Sequence, residues 1–156
     1  MKMSNLFCFG LGYTSLNLAK SLNTYIWSVF GTSRSAVKEK EFKKLGIQVC
    51  NFKDVNKFAN GNFLSNATHV LISTPPTENG DPVLMLYMET LHSLKKLEWV
   101  GYLSSTSVYG DTGDREASEN FKTKPTTPHG RRRAKAEKER LHLWSEYDVP
   151  VHVFRL

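Results

Sequence analysis

A glycine turn near the N-terminus constrains the fold of this chain more than any other feature of the sequence. The apolar run LFCF ends at Gly10, Gly12 follows two positions later, and the small residue Ser15 comes three positions after that. Apolar residues then recur at helical spacing. A buried strand, a glycine turn and a helix in this order open a parallel βαβ unit. We therefore predict an α/β fold with a first strand over residues 5–9 and a first helix over residues 13–22.

Strand-like and helix-like segments alternate along the rest of the 156 residues. Apolar or β-branched runs predict further strands over residues 25–30, 47–50, 68–73, 99–103 and 149–156. Helical spacing and capping residues predict helices over residues 36–44, from residue 82 onwards and over residues 128–147, whereas residues 54–66 carry no clear pattern. Six strands that alternate with helices predict a doubly wound parallel sheet with right-handed crossovers, in one domain over residues 1–156.

Composition excludes several classes of protein. The chain has 40% hydrophobic residues, enough for a core, but no run of about 18 apolar residues that could span a membrane. The N-terminus lacks the basic region, apolar stretch and cleavage site of a secretory signal, so we do not expect secretion. Cys8 and Cys50 lie in strand-like runs, so we expect buried thiols in a reducing cytoplasm. The five histidines show no ligand spacing, so no metal site is predicted.

The formal net charge of +6 raises the question of nucleic acid as a partner. Much of the charge lies in residues 131–140, where both signs alternate at helical spacing, and residues 38–44 form a second mixed run. Such runs are typical of helix faces in contact with solvent. Neither is accompanied by a zinc-finger or aromatic RNA-binding pattern, so the sequence does not favour nucleic-acid binding.

The glycine turn has the spacing of a dinucleotide-binding site. The first glycine, Gly10, allows the tight turn, and the second, Gly12, lets the backbone approach a pyrophosphate. A small third residue, here Ser15, lets the helix pack closely on the strand. The pyrophosphate would meet the N-terminus of the helix that begins with Tyr13 and Thr14. A turn without a ligand is the alternative, but its place between the first strand and the first helix favours binding.

The end of the second predicted strand indicates which dinucleotide would bind. An acidic residue here would hydrogen-bond the ribose of NAD, whereas a cationic residue would pair with the 2′-phosphate of NADP. The sequence has Thr32, Ser33 and Arg34 at this point and no acidic residue. Because the Arg34 guanidinium is always charged and the two hydroxyls add donors, we predict NADP rather than NAD. An arginine that only faces solvent is the alternative.

Several segments together resemble the short-chain dehydrogenase/reductase superfamily, in its extended, epimerase/dehydratase-like branch. The fifth predicted strand runs into SSTSVYG at residues 104–110, which matches the Ser-Ser-x-x-Val-Tyr-Gly segment of that branch. Phe-Gly-x-Gly-Tyr at residues 9–13, Gly-Thr-Ser-Arg at 31–34 and Ser-Thr-Pro-Pro at 73–76 are similar to an atypical bacterial subgroup. The resemblance spans nearly the whole chain and implies a Rossmann fold that binds NAD or NADP.

The resemblance also implies roles for several residues. A serine after the fifth strand orients the substrate in this superfamily, and the spacing to Val-Tyr-Gly gives that role to Ser105. Ser73 and Thr74 follow the fourth predicted strand, where the backbone lines the adenine side of the cofactor. The superfamily's catalytic Tyr-x-x-x-Lys motif is absent. In its place the chain has His129 at the tyrosine position and Arg133 at the lysine position.

This replacement limits what the resemblance implies about catalysis. Arg133 keeps hydrogen-bond donors for the nicotinamide ribose but does not titrate, whereas a histidine such as His129 can transfer protons near neutral pH. His129 is therefore either an acid/base or an exposed residue in the first turn of its helix. The resemblance implies an oxidoreductase or epimerase/dehydratase that acts on an unidentified small molecule. The alternative is a non-catalytic NADP-binding sensor.

Relatives in the superfamily continue beyond the sixth strand into a smaller substrate lobe. We therefore expect a shortened member that lacks most of the substrate pocket and resides in the cytoplasm, with no membrane as partner. An exposed last strand presents unpaired backbone groups, so we also expect self-association along that edge to give a homo-oligomer.

Overall fold

The computed structural model describes residues 3–56 and 62–156, and six strands in this part of the chain form one parallel sheet. The strands are β1 (Ser4–Phe9), β2 (Trp27–Thr32), β3 (Gln48–Cys50), β4 (His69–Ile72), β5 (Trp99–Ser104) and β6 (Val151–Arg155). The helices are α1 (Tyr13–Ser21), α2 (Ala36–Lys44), α3 (Asn62–Ser65), α4 (Pro82–Ser93) and α5 (Pro128–Tyr147), with short 3₁₀ helices over Phe52–Asp54 and Thr106–Val108. The predicted doubly wound parallel sheet is confirmed. Part of the segment without a clear pattern, residues 57–61, lies outside the described residues.

The strand order β3-β2-β1-β4-β5-β6 places β1 inside the sheet, between β2 and β4. Cys8 of β1 lies opposite Gly31 of β2 on one side and Leu71 of β4 on the other. After β1 the chain moves outward through β2 and β3, then crosses back to β4 and continues outward in the opposite direction. The connections therefore diverge at the carboxyl ends of β1 and β4. A divergence of this kind opens the crevice in which open α/β sheets bind ligands.

Alternate residues of β1 contribute to two hydrophobic cores, because successive side chains of a strand point to opposite faces of a sheet. Phe7 and Phe9 pack with residues of α3, α4 and α5 on one face. Leu6 and Cys8 pack with residues of α1 and α2 on the other. All four side chains are buried. β1 is thus covered on both faces, in agreement with the continuous apolar run in its sequence.

The predicted boundaries of the second strand were wrong by two residues at each end. β2 begins at Trp27 and continues through Thr32, whereas the prediction was residues 25–30. The Asn23 side chain accepts a hydrogen bond from the Tyr25 N–H, which closes a turn and leaves Tyr25 89% exposed. The other predicted boundaries agree with the structure to within two residues.

The prediction that residues 131–140 form a solvent-exposed helix face was wrong for two of the charged residues in this range. Glu137 and Arg140 are buried, and Arg140 is only 1% exposed. They lie on the buried side of α5, with Ala136 and Leu143, which pack into the core. A charged residue can occupy such a position when another element supplies the opposite charge.

No helix in the described part of the chain is long and apolar enough to cross a membrane. Among the same residues, no group of three or more His, Cys, Asp or Glu side chains is arranged to hold a metal ion. Cys8 and Cys50 are buried free thiols. Burial raises the pKa of Cys8 to about 12 and is the main reason that the pKa of Cys50 rises to about 11, so neither is a reactive thiolate at neutral pH.

Candidate dinucleotide-binding site

The turn after β1 depends on a glycine at position 10. Gly10 has φ = +94°, a backbone conformation that is strained for any residue with a side chain. A Cβ atom at this position would lie 2.7 Å from Ser73 Oγ and 3.2 Å from Thr74 Oγ1. The backbone of the turn therefore lies directly against the end of β4.

Both neighbours of β1 hold this turn in place. From β2, the Thr32 hydroxyl accepts a hydrogen bond from the Gly10 N–H at 2.9 Å, and the Thr32 carbonyl accepts one from the Leu11 N–H. From the end of β4, the Ser73 hydroxyl donates to the Gly10 carbonyl at 2.6 Å. The Thr74 hydroxyl donates to the carbonyl of Phe9, the last residue of β1, at 2.9 Å. The predicted residues Thr32, Ser73 and Thr74 thus converge on the glycine turn.

The first turn of α1 faces open space. Gly12 is the N-cap residue, and a Cβ atom added there would meet no atom of residues 3–56 or 62–156 within 4 Å. The cap has no side-chain hydrogen bond, and the first turn carries no acidic residue. Tyr13 and Thr14, which begin the helix, are exposed. Because the first N–H groups of a helix have no intrahelical partner, this terminus offers donors and a positive dipole end to an anion. The residues present therefore fit a dinucleotide pyrophosphate.

Ser15, the third residue of the glycine pattern, is fully buried at 0% exposure. Its hydroxyl has no hydrogen-bond partner among the described residues. The side chain lies where α1 packs on the sheet, so a small residue is needed there. This agrees with the prediction made for the third position of the pattern.

The three predicted residues at the end of β2 lie in different surroundings. Thr32 is 2% exposed, and its hydroxyl accepts the hydrogen bond from the glycine turn. The Ser33 hydroxyl accepts a hydrogen bond from the Ser35 N–H at 3.1 Å, close to the start of α2. Arg34 is exposed, and no hydrogen bond or ion pair joins it to any other residue in the described ranges. Thr32 and Ser33 thus make hydrogen bonds within the protein, whereas the positively charged side chain of Arg34 is exposed at the surface.

At the carboxyl end of β5, Ser105 and Ser107 make different contacts, and His129 lies beside Ser107. The Ser105 hydroxyl accepts a hydrogen bond from the Ser107 N–H at 3.2 Å and so caps the 3₁₀ helix Thr106–Val108. The Ser107 hydroxyl lies 3.4 Å from Nδ1 of His129, whose side chain is exposed. The 3₁₀ helix and α5 can approach this closely because Gly130 has no side chain. A Cβ atom there would lie only 2.4 Å from the Ser107 carbonyl oxygen.

Arg133 of α5 contacts the carboxyl end of β5. Its Nη1 donates to the Leu103 carbonyl at 2.5 Å and to the Tyr102 hydroxyl at 3.3 Å. The side chain is half-buried. Burial raises the pKa of the Tyr102 phenol, and the neighbouring Arg133 partly opposes this rise. Hydrogen bonds to two residues of β5 thus orient Arg133.

One buried ion pair and one partly buried ion pair lie beside these residues. Asp81, the N-cap of α4, pairs with Arg140 of α5 at 2.5 Å. Glu137 of α5 pairs with Arg155 at the end of β6 at 2.9 Å. The sequence carried a signal for Arg140, because its helical spacing to Ala136 and Leu143 places it in an apolar stripe. No sequence pattern indicated that Asp81 pairs with Arg140 or that Glu137 pairs with Arg155.

The second pair is part of a larger polar cluster at the carboxyl ends of β5 and β6. The Ser104 hydroxyl donates to Glu137 at 2.5 Å. Arg155 donates to both carboxylate oxygens of Glu137, to the Tyr109 hydroxyl at 2.9 Å and to the Glu119 carbonyl. The hydrogen bonds to Glu137 are the main reason that the pKa of Arg155 is raised. The cluster holds the loop that follows β5 against the sheet.

A comparison with protein-family models finds no match, and a comparison with curated proteins finds none either. Solved structures do match. A conserved protein of unknown function from Silicibacter pomeroyi is 32% identical, with a TM-score of 0.82. The match covers 99% of this chain and 52% of that protein.

Two further matches have known activities. UDP-glucuronic acid 4-epimerase from Bacillus cereus, solved with UDP-glucuronic acid and NAD, is 17% identical with a TM-score of 0.73. The match covers 98% of this chain and 56% of the epimerase. dTDP-glucose 4,6-dehydratase from Bacillus anthracis, solved with NAD, is 14% identical with a TM-score of 0.78, and the match covers 98% of this chain and 54% of the dehydratase.

These matches decide the fold. The chain has the Rossmann fold of this epimerase and this dehydratase. The resemblance predicted from the sequence is thereby confirmed at the level of the fold. The chain spans about half the length of the solved structures that it matches.

Proposed function

We propose that this chain binds NADP in the crevice between the carboxyl ends of β1 and β4. One observation carries the proposal. The glycine turn is held by hydrogen bonds from both neighbouring strands, and it leads into an open helix N-terminus at the point where the strand order diverges. The NAD complexes of two structural neighbours support the same choice of ligand class.

The geometry supports a role for each part of the crevice. The N–H groups of Gly12, Tyr13 and Thr14 would bind the pyrophosphate. Arg34 would bind the 2′-phosphate, since it is exposed and no acidic residue occupies the end of β2. Arg133 would donate to the nicotinamide ribose.

We further propose that the chain is the nucleotide-binding part of an oxidoreductase or epimerase/dehydratase. When bound, the nicotinamide supplies hydride transfer to or from a carbonyl or hydroxyl carbon of a small molecule. Ser105 would hydrogen-bond the substrate oxygen. His129 would move the proton through Nε2, because Nδ1 faces the Ser107 hydroxyl.

A second candidate function is non-catalytic binding of NADP. The absence of the Tyr-x-x-x-Lys pair favours it. Arg133, which stands at the lysine position, is also held by a short hydrogen bond to the Leu103 carbonyl. In this reading, the chain senses or buffers NADP(H). Turnover of any carbonyl or hydroxyl substrate that disappears in His129→Ala would favour the enzyme over the sensor.

The cofactor assignment is tested by titrating the full chain with NADPH and NADH and following nicotinamide fluorescence. We expect Arg34→Ala to weaken NADPH binding about ten- to a hundredfold, because a charge-assisted hydrogen bond is lost, with little effect on NADH. Lys38→Ala serves as a control for the loss of one exposed positive charge nearby. Failure of the wild-type chain to bind either nucleotide would overturn the proposal, and equal effects of Arg34→Ala on both would overturn the 2′-phosphate assignment.

A further inference from the structure

A buried series of contacts joins the start of α4 to Arg133. Asp81 is 2% exposed and accepts a hydrogen bond from Arg140 Nη2 at 2.5 Å. The guanidinium carbon of Arg140 lies 4.4 Å from the centre of the Tyr102 ring. The Tyr102 hydroxyl accepts a hydrogen bond from Arg133 Nη1 at 3.3 Å. We refer to these four residues as the Asp81–Arg133 network.

The Tyr102 ring is in contact with two guanidinium groups. The guanidinium carbon of Arg133 lies 5.8 Å from the same ring centre that Arg140 approaches to 4.4 Å. Two positive charges near one buried ring repel each other more strongly than they would in water, because the local dielectric is low. Asp81 neutralises one of them. The ion pair therefore allows Arg140 to stay against the ring, and the ring in turn limits where Arg133 can lie.

Asp81 also connects the network to the glycine turn. Its carboxylate accepts hydrogen bonds from the N–H groups of Val83 and Leu84, which cap α4. The segment that leads to it begins with Ser73 and Thr74, which hold the glycine turn. One short segment, residues 73–81, thus contacts the turn at its start and Arg140 at its end.

We propose that Arg140 is a positioning residue that orients Arg133 toward the nicotinamide ribose of the bound dinucleotide. Arg140 itself is buried and cannot touch a ligand, so it acts only through Tyr102 and Arg133. The inference rests on the proposed binding of NADP in this crevice. It assigns the network to the nicotinamide end of the ligand. The adenine and diphosphate end depends instead on the glycine turn and Arg34.

The test compares two ligands on the full chain. NADPH reaches both ends of the crevice, whereas 2′-phospho-ADP carries the 2′-phosphate and the diphosphate but no nicotinamide ribose. The main variant is Asp81→Asn combined with Arg140→Met, which removes both charges and keeps a side chain able to cap α4. We expect NADPH to bind about tenfold more weakly and 2′-phospho-ADP to change by less than about twofold.

Leu143→Ala is the matched control, because Leu143 is buried on the same helix and lies outside the network. It should lower the melting temperature without changing the ratio of the two affinities. If the double variant does not fold, Arg140→Lys provides the same comparison. It keeps a positive charge beside Asp81 but loses the planar guanidinium that packs on the Tyr102 ring.

Three outcomes would overturn the inference. The folded double variant, or Arg140→Lys in its place, could bind NADPH as tightly as the wild type. It could also lose both ligands equally, which would indicate a general structural role. Both of these leave the proposed function intact. Failure of the wild type to bind either ligand would instead overturn the proposed function, and the inference with it.

Discussion

At the scale of single residues, Gly10 and Gly12 have different requirements although only one residue separates them. Gly10 has a positive φ, and a side chain there would collide with the hydroxyl of Ser73. Gly12 has an ordinary φ of −85°, and none of the described residues fills the space beside its Cα. The fold therefore requires the first glycine, whereas the open space at the second lies where we propose that the pyrophosphate binds.

The two glycines thus separate folding from binding. We expect Gly10→Ala to lower the free energy of unfolding by about 2 kcal/mol, because an L-residue is strained at this φ and displaces Ser73. Gly12→Ala should keep the wild-type stability but weaken NADPH binding, because its Cβ enters the space proposed for the pyrophosphate. Denaturant unfolding and nicotinamide fluorescence measure the two effects. Wild-type affinity in Gly12→Ala would contradict the proposed position of the pyrophosphate.

At the scale of secondary-structure elements, a row of rings crosses one face of the sheet. The Trp27 ring of β2 lies 4.7 Å from the His69 ring of β4, and His69 lies 6.3 Å from the Trp99 ring of β5. The Thr68 hydroxyl lies 2.8 Å from His69 Nδ1. Burial lowers the pKa of His69, although nearby Glu98 partly opposes this.

The shifted pKa of His69 makes stability depend on pH. Because the folded state holds the imidazole neutral, the unfolded state binds the proton more readily, so stability falls as pH drops below the unfolded pKa of about 6.5. The loss is complete below the lower pKa of the folded state. We expect the melting temperature to fall between pH 7.5 and pH 5, and to fall less in His69→Gln. An identical fall in the two proteins would show that other groups account for it.

At the scale of the whole molecule, the sheet ends in two edge strands, β3 and β6. β6 pairs with β5 on one side, and no strand in the part of the chain that the structure describes pairs with its other side, where backbone N–H and C=O groups are left available. Phe154 is 43% exposed on this strand, and Leu156 follows it at 63%. Exposed apolar side chains beside unpaired backbone groups favour pairing with a second chain.

We therefore expect concentration-dependent self-association through β6, measured by sedimentation velocity. Phe154→Lys should shift the equilibrium toward the monomer by about tenfold or more, because a charge at an edge strand opposes pairing. Met85→Lys is the matched control, since Met85 is 63% exposed on α4 and far from β6 in the chain. Loss of association in Met85→Lys but not in Phe154→Lys would place the contact on the helices instead.

Local sequence signals determined most of the architecture. The apolar runs, the glycine turn and the capping residues predicted the order of strands and helices along the chain and the burial of β1, because each depends on neighbouring residues. The glycine pattern and Ser73 and Thr74 likewise indicated the site. β2 was misplaced because the turn at Asn23 depends on a side-chain hydrogen bond that hydrophobicity does not reveal.

Only the tertiary structure decided which charged and hydroxyl groups meet. The sequence predicted roles for Ser105 and His129 but a protein partner for neither, and the approach of α5 to the 3₁₀ helix places Ser107 beside the imidazole of His129. Arg140 was predicted to be exposed to solvent. It is instead buried and pairs with Asp81, which is 59 residues away in the chain. Helical spacing states which side of a helix a residue occupies. Whether that side is buried, and which residues it contacts, depends on how elements that are distant in sequence pack together.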